Sequence, residues 1–166
     1  DISSMLVGEL ADPKKGDRVI DVCAAPGGKA LHVAEKLRGT GSVEARDLSL
    51  YKVGLITENI ERSGLTNIHA VQKDATVCDA DVKDAADLVI ADLPCSGLGV
   101  FGKKPDLKYR VKEEDLKELA GLQRKILENA QAMVKKGGTL LYSTCTIDPM
   151  ENEENVHWFL KKSPQF

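Results

Sequence analysis

Two cysteines, each placed just after an apolar, β-prone run, are the residues best suited to chemistry. Cys95 lies in Asp92-Leu93-Pro94-Cys95-Ser96-Gly97, after the run 87–91, and Cys145 lies in Tyr142-Ser143-Thr144-Cys145-Thr146, after the run 139–143. A thiolate serves as a nucleophile or a metal ligand. The four cysteines, at 23, 78, 95 and 145, form no C-x-x-C pair and have no paired histidines nearby, so no zinc site or other metal site is expected. Nucleophilic chemistry remains. Cys95 and Cys145 stand in polar loops at strand ends, and we expect both thiols to face one cleft. Cys23 and Cys78 are read as small buried hydrophobes. All four are expected to be free thiols in a reducing, cytoplasmic setting, since a chain of this length needs no disulfide staples.

A second group of residues looks built to hold a ligand. After the run 18–22 comes Cys23-Ala24-Ala25-Pro26-Gly27-Gly28-Lys29, whose small residues and paired glycines let a ligand approach the backbone, while the helix that follows offers its N–H groups to an anion. The loop lacks G-x-G-x-x-G. A Walker A reading would need Gly where Cys23 stands and Ser or Thr where Ala30 stands, so both nucleotide motifs fail. The second run ends in Asp47, nineteen residues beyond Gly28, where a carboxylate can accept both hydroxyls of a ribose. The third ends in Asp74, whose carboxylate could take the amine of an adenine.

The supports for these residues are β-prone runs at 18–22, 42–45, 68–72, 87–91 and 139–143, which alternate with helix-like stretches long enough for crossovers. This predicts a single α/β domain with a parallel sheet and helices on both faces, which places strand-end loops along one ligand-binding edge. The run Asp87-Leu88-Val89-Ile90-Ala91 is nearly continuous in apolar character, as for a central strand buried on both sides. Apolar positions repeat helically from Glu113 to Val134, with Gly137-Gly138 expected to stop the pattern. Asp148-Pro149-Met150-Glu151 reads as the N-cap and first turn of a last helix reaching about Lys162, with Glu151 bonding back to the cap.

The 166 residues carry 42% hydrophobic and 30% charged residues, ordinary for one globular domain. Lys and Arg number 23 against 26 Asp and Glu, for a net charge of −3, so the chain is no polycation and any nucleic-acid contact must be local. No uncharged stretch reaches the roughly 18–20 residues that span a bilayer, so no membrane partner is expected. The opening Asp1-Ile2-Ser3-Ser4 shows no basic-then-apolar leader. With no initial Met, the chain reads as a piece of something longer.

Taken together, DVCAAPGGK at 21–29, DLPCSG at 92–97 and YSTCTI at 142–147 with Pro149, Glu151 and Asn152 resemble the methyltransferase core of the Sun family of RNA cytosine-5 methyltransferases. The likeness runs from Asp1 through the last helix, and the loop Lys104-Pro105-Asp106-Leu107-Lys108 is most similar to the bacterial RsmB branch, which modifies small-subunit 16S ribosomal RNA. The resemblance implies a Rossmann-like fold with sheet order 3-2-1-4-5 and S-adenosylmethionine as cofactor. Cys23, Ala24, Ala25, Pro26, Gly27, Gly28, Lys29, Asp47, Asp74 and Asp92 would surround that cofactor. Cys145 would be the nucleophile, and Cys95 would help release the product.

The mechanism so implied has Cys145 add to C6 of a cytosine, which makes C5 nucleophilic. Asp92 is the candidate for a proton at N3, Lys29 a candidate to favour the Cys145 thiolate, and Cys95 a candidate for handling the C5 proton, directly or through water. The cytosine must be unstacked, which loop or single-stranded RNA makes easier. Lys103, Lys104, Lys108 and Arg110, with Lys112, form a basic segment beside the active-site loop and are the expected RNA contacts. The family's N-terminal RNA-binding region and its last two strands are not matched. A five-stranded sheet with the fifth strand's edge open is therefore expected, in a monomer prone to edge self-association. Alternatives are a non-catalytic RNA-binding or assembly module, a tRNA substrate, or DNA cytosine-5 methylation with Cys95 as the nucleophile. Adenine-N6 methylation would want an aromatic residue where Cys95 stands.

Overall fold

The structure, a computed structural model, describes residues 2–100 and 112–166, with side chains from residue 5 onward. Helix α1 (Ile2–Ala11) precedes strand β1 (Arg18–Asp21), which is followed by α2 (Gly28–Lys36), β2 (Ser42–Asp47), α3 (Leu50–Ser63) and β3 (Ile68–Gln72). Then come β4 (Ala86–Asp92), α4 (Glu113–Gln131), β5 (Val134–Ser143) and α5 (Glu153–Lys162), with short 3₁₀ turns at Ala80–Val82, Leu98–Val100 and Pro149–Glu151. All four strand pairings are parallel, in the order β3-β2-β1-β4-β5. The expected order and helix-covered sheet are both found.

Alternation along the strands builds two cores. Val19, Val43, Ala45, Leu88 and Ile90 pack on one face with Ala30 and Val33 of α2, Leu37 just after it, and Ile56 of α3. Ile20, Val89 and Ala91 point to the other face, where Ile126, Leu127 and Ala130 of α4 and Phe159 of α5 cover them. A strand buried on both faces must be apolar throughout, which is why the β4 sequence reads as it does. At the sheet's end, β5 pairs only with β4 among the described residues, as the open-edge expectation required.

β5 begins at Val134 rather than at 139 and β2 runs on to Asp47, and two helix boundaries also differ from the sequence reading. Helix α4 ends at Gln131, before Gly137-Gly138, because the next carbonyls are taken by the entry to β4: Asp84 donates to Ala132 O at 2.9 Å and Ala86 to Met133 O at 2.9 Å. Met133 and Val134 keep the apolar pattern by packing into the same core from non-helical backbone. The two glycines instead sit in an irregularity of β5, where the pairing jumps from Ala86↔Val134 to Leu88↔Thr139, and Gly137 adopts φ 79°. The second difference is at Asp148. Its side chain caps Met150 N–H at 2.8 Å, but over a 3₁₀ turn, and the last helix starts only at Glu153. Glu151 does not bond back to the cap; Asp148 N–H is taken by Thr146 Oγ1 at 3.1 Å, and the Glu151 carboxylate points into the core.

Candidate functional site

The carboxyl ends of β1, β2, β4 and β5 carry a continuous line of polar side chains. After β1 the loop turns over a cis Ala25–Pro26 bond and enters α2 through Gly27, whose φ of 110° no ordinary side chain tolerates well. No side chain caps α2, and a Cβ placed on Gly28 would meet nothing within 4 Å, so the N–H groups of the helix's first turn are open to an anionic group. Asp47, buried at the end of β2, braces this loop by accepting from Ala25 N–H at 3.2 Å and from Leu48 N–H at 2.8 Å. Its oxygens retain lone pairs for a further donor.

Lys29 joins the loop to β4. Its ammonium lies 2.7 Å from Asp92 Oδ2, while the other Asp92 oxygen accepts from Ser143 Oγ of β5 at 2.6 Å. Beyond Asp92, the two loops bring Cys95 Sγ and Cys145 Sγ to 3.1 Å, and Cys145 N–H donates to Cys95 Sγ at 3.2 Å. Cys145 is exposed and Cys95 half-buried. Burial, reinforced by the hydrogen bond with Cys145, pushes the Cys95 thiol up to about 12, so Cys95 keeps its proton at neutral pH. The arrangement offers an accessible sulfur, a second sulfur that can donate a proton to it, and a carboxyl held between an ammonium and a hydroxyl.

Of the expected site residues, Lys29 meets Asp92 and Cys95 meets Cys145, while Asp47 braces the glycine loop; the contacts include particulars that the sequence did not show. Lys29 pairs with Asp92 rather than standing against Cys145. Asp74 is exposed at the rim of a cleft of about 330 Å³ that Arg46, Leu48 and Lys73 also line. One Asp74 oxygen accepts from Thr76 N–H and Oγ1, and the hydroxyl bond above all holds the carboxyl below its usual range. Cys23 is half-buried against the second core, and burial raises its thiol to about 12, as suits a packing residue. Cys78 is exposed, which corrects its reading as a buried hydrophobe; it follows β3 on the rim of the same cleft, outside both cores. Lys103, Lys104, Lys108 and Arg110 lie outside the described residues. Among the described residues no group of three or more metal-ligating side chains converges, and no helix is long and apolar enough to cross a membrane.

Several polar residues around the thiols were given no role in the site by the sequence reading. Ser96, Gln123, Thr146, Glu151 and Asn155 are all buried behind the two cysteine loops. Asn152 ties the second loop down, donating to Thr146 O at 3.0 Å and accepting from Thr144 Oγ1 at 2.6 Å. The signal was present in Pro149, Glu151 and Asn152, but a helix cap accounts for those residue types equally well.

A parallel 3-2-1-4-5 sheet with an uncapped glycine loop after its first strand is a Rossmann-like α/β fold, shared with a methyltransferase homolog protein from Pyrococcus horikoshii at a TM-score of 0.82 and 32% identity, over 96% of this chain and 49% of that one. The sequence model of the 16S rRNA methyltransferase RsmB/F family matches residues 9–166, and the chain belongs to that family. It is 48% identical over its whole length to the "Probable ribosomal RNA small subunit methyltransferase B" of Bacillus subtilis, covering 37% of that protein. It is 36% identical over 98% of its length to the ribosomal RNA small subunit methyltransferase F of Klebsiella pneumoniae, covering 35% of it. The chain thus spans about a third of the length of these curated relatives. Among solved structures, NSun6 from Pyrococcus horikoshii, determined with SFG, superposes with a TM-score of 0.88 at 38% identity, over 96% of this chain and 40% of that one.

Proposed function

We propose that the protein transfers a methyl group from S-adenosylmethionine to C5 of a cytosine in small-subunit ribosomal RNA, through a covalent bond between Cys145 and C6 of the base. The observation that carries this reading is the 3.1 Å approach of Cys95 and Cys145 at the strand edge beside Asp92. Family membership supports methylation of ribosomal RNA. The pair of thiols supports cytosine C5, a carbon that attacks an electrophile only after a nucleophile has been added at C6.

The cofactor would lie over Cys23–Lys29, with its anionic end at the start of α2, its ribose on Asp47 and its adenine in the cleft bordered by Asp74. Bound there, it supplies an electrophilic methyl group on a sulfonium. The uncapped first turn of α2 and the open space before Gly28 fit such a group.

The protein's own residues do the rest. Cys145, as thiolate, forms the S–C6 bond, and the displaced electron pair moves toward N3 and O2 of the base. The Lys29 ammonium, 2.7 Å from Asp92, passes a proton through that carboxylate to N3, which leaves Lys29 as the amine and Asp92 ionised. After C5 is methylated, N3 returns the proton by the same route to Lys29 and a water takes the C5 proton. The S–C6 bond then breaks and the ring double bond re-forms. The sulfur of Cys145 departs as the thiolate, and Cys95, still protonated, stabilises it by donating its S–H as a hydrogen bond. Lys103, Lys104, Lys108 and Arg110 contact the RNA backbone. In the full-length protein, Cys145→Ser abolishes both adduct and product. Cys95→Ser still forms the adduct but releases methylated RNA slowly, so protein–RNA conjugate accumulates on a denaturing gel. Loss of adduct in the Cys95 variant with retention in the Cys145 variant would assign attack to the other sulfur.

A further inference from the structure

We infer that Gln123 and Glu151 form a buried clamp that holds Cys95 at its working distance from Cys145, making both positioning residues for the sulfur chemistry proposed above, on which this inference rests. Glu151 is 0% exposed, and among the described residues no cation pairs with it. A buried carboxylate is costly unless its lone pairs are filled. They are filled by Ser96 N–H at 3.0 Å, by the Ser96 hydroxyl, and by Gln123 Nε2 at 2.8 Å. The same Gln123 nitrogen donates to the Pro94 carbonyl at 2.8 Å.

One amide and one carboxylate therefore grip the chain on both sides of Cys95. Gln123 holds the carbonyl before it and Glu151 holds the N–H after it, while the hydrogen bonds of the sulfur itself among the described residues are with Cys145. The grip extends to the second loop. Ser96 Oγ lies 2.8 Å from Thr146 Oγ1, next to Cys145, and Gly99 N–H donates to the Cys145 carbonyl at 3.0 Å. The orientation of Gln123 is itself fixed, because Asn155 Nδ2 donates to its Oε1 at 2.7 Å, which leaves its nitrogen for Pro94 and Glu151. Tyr142 Oη donates to the Glu151 carbonyl, locking the turn that carries the carboxylate to β5. Helix α4 and the turn after β5 thus set where two loops of different strands meet. An apolar pair of equal volume would fill the space without fixing either loop.

The test uses the full-length protein carrying Gln123→Met or Glu151→Gln, assayed below each variant's melting temperature. Two quantities are read: the rate at which diamide, a thiol oxidant, links Cys95 to Cys145, and the separate kcat and KM for methylation of ribosomal RNA. We expect cross-linking and kcat each to fall roughly 10- to 100-fold, the loss that a misplacement on the order of 1 Å can bring, with KM for S-adenosylmethionine unchanged. Unchanged cross-linking and kcat in folded Gln123→Met would overturn the inference, as would a loss of activity that only tracks the folded fraction. Should Glu151→Gln fail to fold, Gln123→Met, which keeps the side-chain volume and leaves Glu151 its Ser96 bonds, decides alone. If Cys145→Ser retains methylation, the nucleophile assignment fails, while the cross-linking rates still report whether the clamp holds the two sulfurs together.

Discussion

Asp21 ends β1 with its carboxyl buried and, among the described residues, its Oδ2 has no hydrogen-bond partner, while its Oδ1 accepts from Cys23 N–H at 3.3 Å. Burial, with Asp92 and Asp47 nearby, raises its pKa to about 7. The unfolded chain, with this carboxyl near 3.9, binds fewer protons than the folded one above that pH. The stability due to neutral Asp21 is therefore complete below about pH 4 and is lost as pH rises through about 7. Asp21→Asn removes this loss. In thermal melts it should raise the melting temperature at pH 8 by several degrees and leave it unchanged at pH 4. Cys95 sits at the other extreme of the same edge, since a thiol near 12 stays protonated through the working range. The rate of product release should accordingly show no inflection from Cys95 between pH 6 and 9.

At the scale of elements, β5 is where residue identity and backbone shape are most tightly linked. A Cβ on Gly138 would lie 2.9 Å from Asp87 O and 3.0 Å from Ala86 O, both backbone atoms of the neighbouring strand. Gly138→Ala must push β5 off β4, and a destabilisation of about 1–3 kcal/mol is expected from the midpoint of urea unfolding. Since Ser143, Thr144 and Cys145 continue from that strand, the same change should also slow Cys95–Cys145 cross-linking. The strand sequences made most of this architecture legible: Leu88 and Ile90 against Val89 and Ala91 already imply a two-faced central strand. The glycine loop, Asp47, Asp92 and the two thiols could be read because a parallel sheet gathers its strand ends on one edge. What stayed hidden depends on pairings distant in sequence. Gly137-Gly138 reads as a helix stop unless the β4 register is known. Glu151 reads as a capping residue because its partners, Ser96 and Gln123, are 55 and 28 residues away.

At the scale of the whole chain, a net charge of −3 means that any affinity of these 166 residues for RNA must come from a local group of cations. In the full-length protein, alanine at Lys103, Lys104, Lys108 and Arg110 together should weaken RNA binding across sequences. It should also flatten the logarithmic salt dependence by about 0.7 for each phosphate no longer neutralised, with S-adenosylmethionine affinity unchanged. An unaltered salt slope would move the RNA surface elsewhere. Which sulfur bonds to the base is the central step of the proposed reaction, and covalent capture reads it directly. Full-length protein is incubated with cofactor and small-subunit ribosomal RNA containing 5-fluorocytosine, whose C5 fluorine cannot leave as a proton, and the linked peptide is sequenced by mass spectrometry. The account predicts a single conjugate at Cys145; attachment at Cys95 or at any other residue, or no conjugate while unmodified RNA is still methylated, would contradict it.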